Sequence, residues 1–283
     1  MTGDGYRDEL VSAGMGMVSP GRGYRAVIDP RQVADALIAA ERKRTPIAPF
    51  SDTYPFLDAD RAYRAQHLFL EDHLDQGDRV IGAKVGMTSR VKRMMLGVNQ
   101  PVSGWLTASM VLAHGQPVPL EQLIHPQAEP EIAVLLGKEV SHPATIEGVL
   151  PAIEAVFAAI EVIDSRFEGF RYRLPDVVAD NVGAAKVALG PRACTVAELG
   201  DLRLIGCVFR ARGEVIGTAA GAAVMGHPAA AVAWLVNSLA ARGKRLSAGS
   251  IVLTGGLTAP AALRRGSALT AEFDQLGSVE VYA

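Results

Sequence analysis

A chain of 283 residues with 49% hydrophobic and 20% charged side chains has a globular balance, which excludes wholesale disorder. Its 28 basic and 30 acidic residues leave a formal net charge of -2, so there is no global basic field to hold nucleic acid. The 2 cysteines, Cys194 and Cys207, have neither the number nor the spacing of a disulfide framework or zinc site, and the longest apolar runs fall short of the ~20 residues of a membrane span. A cytoplasmic protein that binds neither nucleic acid nor membrane is expected.

In chain order, residues 1–28 are rich in glycine and charge, carry no secretory leader, and are expected to form a disordered tail. Asp29 then offers an N-cap before Pro30, Val33, Leu37 and Ile38 recur at helical spacing, and Pro46 ends the run. A second helix is predicted over 58–74, capped by Asp58 or Asp60. These two make a helical N-terminal subdomain over 29–77. Beyond it strands dominate, over 79–86 and 131–137. Residues 146–158 read as an Ala-rich helix and 159–165 as a strand. The run 202–220 carries a hairpin signal with Arg212-Gly213 at its turn, and His227-Pro228 opens a long helix closed by Gly243. Strands return at 250–256 and 267–283. Dispersed strands with few helices between them predict an α+β domain over 78–283, built on a rolled mixed β-sheet.

The chemistry-bearing residues concentrate in three places. In HPQAEPEIAVLLG (125–137), Glu129 and Glu131 lie two apart at the mouth of an apolar strand, where the strand period places both carboxylates on one face. Two like charges so close favour a shared proton or an intervening cation; the plain alternative is a strand edge with two solvated acids. Glu161 is embedded in an apolar run, so its carboxylate needs a partner, a lysine, an arginine or a metal; the plain alternative is a structural ion pair with Arg166. Together Glu129, Glu131 and Glu161 would form an all-oxygen site suited to a hard cation, Mg²⁺ or Mn²⁺. Lys84, in a Gly-bounded apolar strand, would be held protonated near such carboxylates; alone it would read as a snorkelling surface lysine. Asp164-Ser165-Arg166 could simply turn the chain, Asp176, Asp180 and Asn181 could line a pocket or cap a helix, and Thr254-Gly255-Gly256 could admit a ligand close to the backbone or be a plain tight turn. His125 and His227, each before a proline, read as structural. There is no dinucleotide fingerprint, P-loop or Gly-x-Ser-x-Gly elbow.

The segments IGAKVGMTS (81–89), LGVNQPVSG (96–104), HPQAEPEIAVLL (125–136), AIEVIDSRF (159–167) and VVADN (177–181) occur in an order that resembles the 2-keto-4-pentenoate hydratase and 4-oxalocrotonate decarboxylase family of the fumarylacetoacetate hydrolase superfamily. The resemblance spans about residues 30–283. It implies a rolled mixed β fold, a Mg²⁺ or Mn²⁺ held by Glu129, Glu131 and Glu161, an essential Lys84, and a 2-oxo-enoic acid substrate contacted by Ser165, Arg166, Thr254 and Gly255. In hydratases of this family an Asp follows the proline of a QPDFG-like segment; here Val102 follows Gln100-Pro101, as an apolar residue does in the decarboxylases. Decarboxylation of 4-oxalocrotonate in meta-cleavage aromatic catabolism is therefore the favoured expectation, and hydration of 2-keto-4-pentenoate the alternative. A reading of another class is a non-catalytic partner that stabilises a paralogous hydratase. A homo-oligomer is expected, and the resemblance adds the prospect of a complex with such a hydratase. The distal carboxylate of the substrate would be met by backbone amides or by one of Arg90, Arg166, Arg171 and Arg173.

Overall fold

The structure, a computed structural model, describes residues 28–89, 93–94, 98, 100–113 and 115–283. The expected tail over 1–27 and Arg90 lie outside the described residues, while Ile28, placed at the end of that tail, is buried.

The chain opens with α1 (Pro30–Lys43), α2 (Phe50–Thr53) and α3 (Ala59–Asp75). At the start of α1, Asp29 accepts from the Arg31 amide at 2.7 Å, and Gln32 closes a capping box. Asp58, rather than Asp60, caps α3. The faces carrying Val33, Leu37, Ala62 and Phe69 share one apolar cluster with Val102, Phe167, Val177 and Val182, so these helices sit on the loops that frame the site.

Two sheets follow. The larger runs in the order β2 (Val102–Thr107), β1 (Val80–Gly86), β8 (Ile251–Leu253), β3 (Gln127–Leu136), β4 (Ile153–Ile163), β5 (Ala184–Leu189), with β9 (Ala261–Ala262) added against β3. β1 and β8 are parallel and the other pairs antiparallel, which makes this the mixed sheet the sequence predicts. The smaller is β11 (Gly277–Tyr282), β10 (Ala268–Phe273), β6 (Gly206–Ala211), β7 (Glu214–Ala220). The β6–β7 turn holds Arg212 at φ 49° and Gly213 at φ 84°, the two successive left-handed residues a tight hairpin needs. Three short helices, α4 (Ile146–Val149), α5 (Leu174–Ala179) and α6 (Val196–Leu199), connect these strands.

The one long helix of this part, α7 (Pro228–Ala240), is capped by His227, whose Nδ1 accepts from the Ala229 amide at 3.0 Å. The stretch Gly221–Ala240 reaches 20 residues of apolar composition, contrary to the expectation that no run does, yet half of it is buried inside the protein. Its α-helical part spans 13 residues, roughly 20 Å, against the ~30 Å of a bilayer core.

Residues 153–158, expected to be helical, are strand. The helix stops after one turn because Leu150–Ala152 tighten into a 3-10 turn, and Ile153 onward pairs with β3, with one register shift at Glu154. β4 is an inner strand buried on both faces, so its apolar residues do not alternate with polar ones, and alanine content misleads.

Candidate metal centre

β3 and β4 bring the acids together by register alone. Glu129 and Glu161 are direct cross-strand partners, and Glu131 projects from the same face two residues further along β3. All three are buried, and one carboxylate oxygen from each lies within 4.8 Å of the others. Lys84 enters from β1, two strands from β3, with only 2% of its surface exposed. Its Nζ stands 2.6 Å from Glu161 Oε2 and donates to the Val182 carbonyl at 3.1 Å.

That carbonyl is aimed by an unusual turn. Asn181, Val182 and Gly183 all have positive φ, at 49°, 56° and 69°. For β-branched Val182 this is a strained conformation, of the kind that persists where the surroundings enforce it. Asn181 supplies that enforcement by bracketing Trp105: its Oδ1 accepts from the Trp105 amide at 2.7 Å, and its Nδ2 donates to the Trp105 carbonyl at 2.9 Å.

The turn after β8 shapes the other side. The Gly255 amide donates to Glu131 Oε2 at 2.7 Å, and Thr254 Oγ1 donates to the Ile132 carbonyl at 2.8 Å. Gly255 has φ 123°, and a Cβ there would meet Thr88 Oγ1 at 2.2 Å; at Gly256 a Cβ would fall 2.1 Å from Glu129 Oε2. Only glycine lets this backbone close on the carboxylates.

The electrostatics are those of a cation site. Burial pushes the Glu131 pKa well above its ordinary value, and the charges of Glu161 and Glu129 add to it. Burial raises Glu161 too, against the pull of Lys84. For Lys84, burial alone would favour the neutral amine, but Glu161, Glu131 and Glu129 outweigh it and hold the ammonium above its usual range. Three carboxylates against one ammonium leave an excess of negative charge. Glu131 Oε1 and Glu161 Oε1 are buried without a hydrogen-bond partner, while Glu161 Oε2 is paired with the Lys84 ammonium at 2.6 Å. Orphaned buried oxygens in an all-carboxylate set are what a hard divalent ion completes, so Glu129, Glu131 and Glu161 fit a Mg²⁺ or Mn²⁺.

Lys84 and Glu129 open onto a cavity of 310 Å³ whose remaining wall includes Gln127, Tyr172, Phe170, Val177 and Val182. Gln127 belongs to the same period-two series as Glu129 and Glu131, a signal the sequence held. Tyr172 and Phe170 sit in an irregular loop where no pattern marks them. A wider groove of 640 Å³, between Arg79 and Ile251, shares none of these residues.

Other sequence candidates lie behind this wall. Ser165 Oγ donates to Asp180 at 2.9 Å, and Arg166, 1% exposed, pairs through Nε with the same carboxylate instead of with Glu161. Asp176 accepts from the Ser51 and Arg173 amides, and Asp164 from those of Ile124 and His125. Neither Ser165 nor Arg166 lines the cavity; Arg171 is exposed beside Asp52, and Arg173 is exposed.

The chain has close relatives. The fumarylacetoacetate (FAA) hydrolase C-terminal family matches residues 79–282. A 4-oxalocrotonate decarboxylase of Pseudomonas putida is 37% identical over 248 residues, covering 87% of this chain and 94% of that protein. A 2-keto-4-pentenoate hydratase of Burkholderia vietnamiensis is 38% identical over the same shares. Among solved structures, the 4-oxalocrotonate decarboxylase from Pseudomonas putida G7, complexed with magnesium and adipate, superposes with a TM-score of 0.87 at 34% identity, covering 91% of this chain and 99% of that one. By sequence and by fold, the chain belongs to the fumarylacetoacetate hydrolase family.

Proposed function

We propose that this chain is a metal-dependent carbon–carbon lyase that decarboxylates 4-oxalocrotonate, or a close 2-oxo-enoic diacid, to 2-hydroxypenta-2,4-dienoate. The observation that carries the reading is the cavity beside the cluster: Glu129, one of the three clustered carboxylates, and Lys84, the buried ammonium paired with Glu161, border one space, which the apolar side chains of Phe170, Val177 and Val182 help to enclose. Glu129, Glu131 and Glu161 would hold the ion, Mg²⁺ or Mn²⁺, which when bound supplies Lewis-acid stabilisation of negative charge on the substrate's 2-oxo end.

Loss of the distal carboxylate as CO₂ sends its bonding electrons through the alkene to the C2 oxygen. Lys84 has three N–H bonds; two face Glu161 and the Val182 carbonyl, and the third is available to hydrogen-bond that oxygen and pass it a proton. Gln127 and Tyr172 are the remaining hydrogen-bonding side chains of the described cavity wall and would position the tail. Neutral donors suit a carboxylate that leaves as uncharged CO₂. Val102 supports decarboxylation over hydration: it is 2% exposed and packs with Val177 and Val182, where the hydratase pattern carries an acid.

Buried, unpaired Cys194 and Cys207 suit a reducing cytoplasm, and exposed Val215 and Ile216 on the edge strand β7 suit self-association. The test of function is incubation of the Mg²⁺-loaded protein with 4-oxalocrotonate and, separately, with 2-hydroxypentadienoate, following ultraviolet absorbance and CO₂ release. Metal-dependent CO₂ release is expected. Hydration of the dienoate without CO₂ release from the diacid overturns the assignment in favour of a hydratase, and inertness toward both favours the non-catalytic partner.

A further inference from the structure

A second concave site lies on the far side of β2. Its volume is 300 Å³, within the size of small-molecule pockets, and it is lined by Tyr63, Arg64 and His67 from α3, Trp105 from β2, and Arg242 and Lys244 from the turn after α7. Asp60 and Gln66 complete the lining.

Two features set this pocket apart from an ordinary charged surface. Among the described residues, Arg64, Arg242 and Lys244 have no carboxylate partner within ion-pair distance; Lys244 Nζ stands 3.5 Å from His67 Nε2. The Arg242 guanidinium is also fixed in place. It lies 3.6 Å over the Tyr63 ring, donates from Nη2 to Ser103 Oγ at 2.9 Å, and donates from Nε to the Ser238 carbonyl at 3.1 Å. Burial without a counter-ion lowers its pKa, against a pull from Tyr63. A pre-positioned, partly desolvated guanidinium stacked on Tyr63, in a pocket that Trp105 also lines and with an ammonium and a second guanidinium at the rim, is complementary to a carboxylate on a flat ring.

We infer that this pocket is a binding site for a small aromatic carboxylate, separate from the carboxylate cluster. The floor of the pocket touches the elements that carry Lys84's surroundings. Gln66 Nε2 donates to the Ser103 carbonyl at 2.9 Å and to the Val178 carbonyl at 2.7 Å. Gly104, next to Ser103, pairs with Lys84 across β1 and β2, and the Trp105 backbone is held by Asn181, the neighbour of Val182. A ligand seated against Trp105 and Arg242 therefore bears on the strand and turn that position the ammonium.

The test uses the full-length, chelator-treated protein, so that the acidic cluster cannot take an anion through a metal. Benzoate and acetate are titrated by calorimetry and by tryptophan fluorescence. Benzoate is expected to bind saturably and at least tenfold more tightly than acetate. The Arg64→Ala/Lys244→Ala double variant, which removes two exposed side chains without ion pairs, is expected to weaken benzoate binding at least tenfold while keeping the wild-type circular dichroism. Three results would overturn the site: no saturable benzoate binding, equal affinity for acetate, or a double variant that binds as the wild type does. Sedimentation provides the remaining check. If the wild type is a dimer that the double variant dissociates, and benzoate does not compete, a second copy of the chain covers the pocket and the ligand assignment fails.

Discussion

Lys84 is a cation placed beside a carboxylate cluster proposed to take another cation, and this arrangement has opposite consequences for binding and for turnover. Removing its charge takes away a competitor for the three carboxylates; at ~4 Å and an effective dielectric near 20, such a charge is worth up to about 4 kcal/mol before relaxation. Lys84→Met is therefore expected to bind Mg²⁺ or Mn²⁺ more tightly, by roughly tenfold or more, while turnover falls by at least about 100-fold through loss of the proton donor. Calorimetric metal affinity and steady-state kinetics on one preparation read the two effects apart; a variant that loses both together would show that Lys84 only holds the fold. Proton bookkeeping at Glu131 gives a second outcome. Its raised pKa means the metal-free cluster holds a proton to higher pH than a solvated carboxyl does, and an incoming divalent ion must displace it. Metal affinity is expected to rise with pH, and binding heats to differ between buffers of different ionisation enthalpy; heats that are the same in every buffer would show that no proton is displaced.

At the scale of elements, the acidic trio depends on β3 and β4 being paired with Glu129 opposite Glu161, and much of that was legible in advance. The period of two placed Glu129 and Glu131 on one face, and an apolar surround marked Glu161 as a buried carboxylate in need of a partner. The register that unites them was not legible, because cross-strand alignment is set by the whole β3–β4 ladder rather than by any local signal. The same limit explains why 153–158 read as helix: its alanines carry no alternation once both faces of β4 are covered. The alternative of Arg166 as Glu161's partner fails for a related reason, since the competing Asp180 lies fourteen residues on and is brought back to it by α5. The turn after β8 was read as permissive backbone, and its contacts make that specific. Gly256→Ala would drive a methyl group into the Glu129 carboxylate, whose three atoms are the nearest to it. Metal affinity is expected to fall by about 10- to 100-fold, as for other disruptions of groups that orient metal ligands, with the circular dichroism unchanged. Unaltered metal affinity in this variant would mean that Glu129 is not held where the turn places it.

Across the whole molecule, the site is a buried concentration of like charge that folding must tolerate before any ion arrives. The carboxyl groups of Glu131 and Glu161 have folded-state pKa values above their value of 4.5 in a solvated chain. A carboxyl raised in this way contributes its stability below the unfolded-state pKa and loses it as pH rises through the folded-state value, because the unfolded chain ionises first. His73, whose pKa is raised chiefly by its hydrogen bond to Glu41, acts in the same direction above pH 6.5. The chelated protein is therefore expected to melt at progressively lower temperature from pH 5 to pH 8. A bound divalent ion reverses the contribution of the cluster, since it stabilises only the folded state and binds more tightly as the carboxyls ionise. The gap in melting temperature between Mg²⁺-saturated and chelated protein should widen steadily over the same pH range. In Glu131→Gln, which removes one buried charge, the chelated protein should be more stable than the chelated wild type at pH 8, and the gap on adding Mg²⁺ should nearly vanish. Calorimetric melting at three pH values, with and without metal, checks all of these signs. A gap that stays constant with pH, or a glutamine variant less stable than the chelated parent, would show that the three glutamates are compensated by the protein itself and do not await an ion.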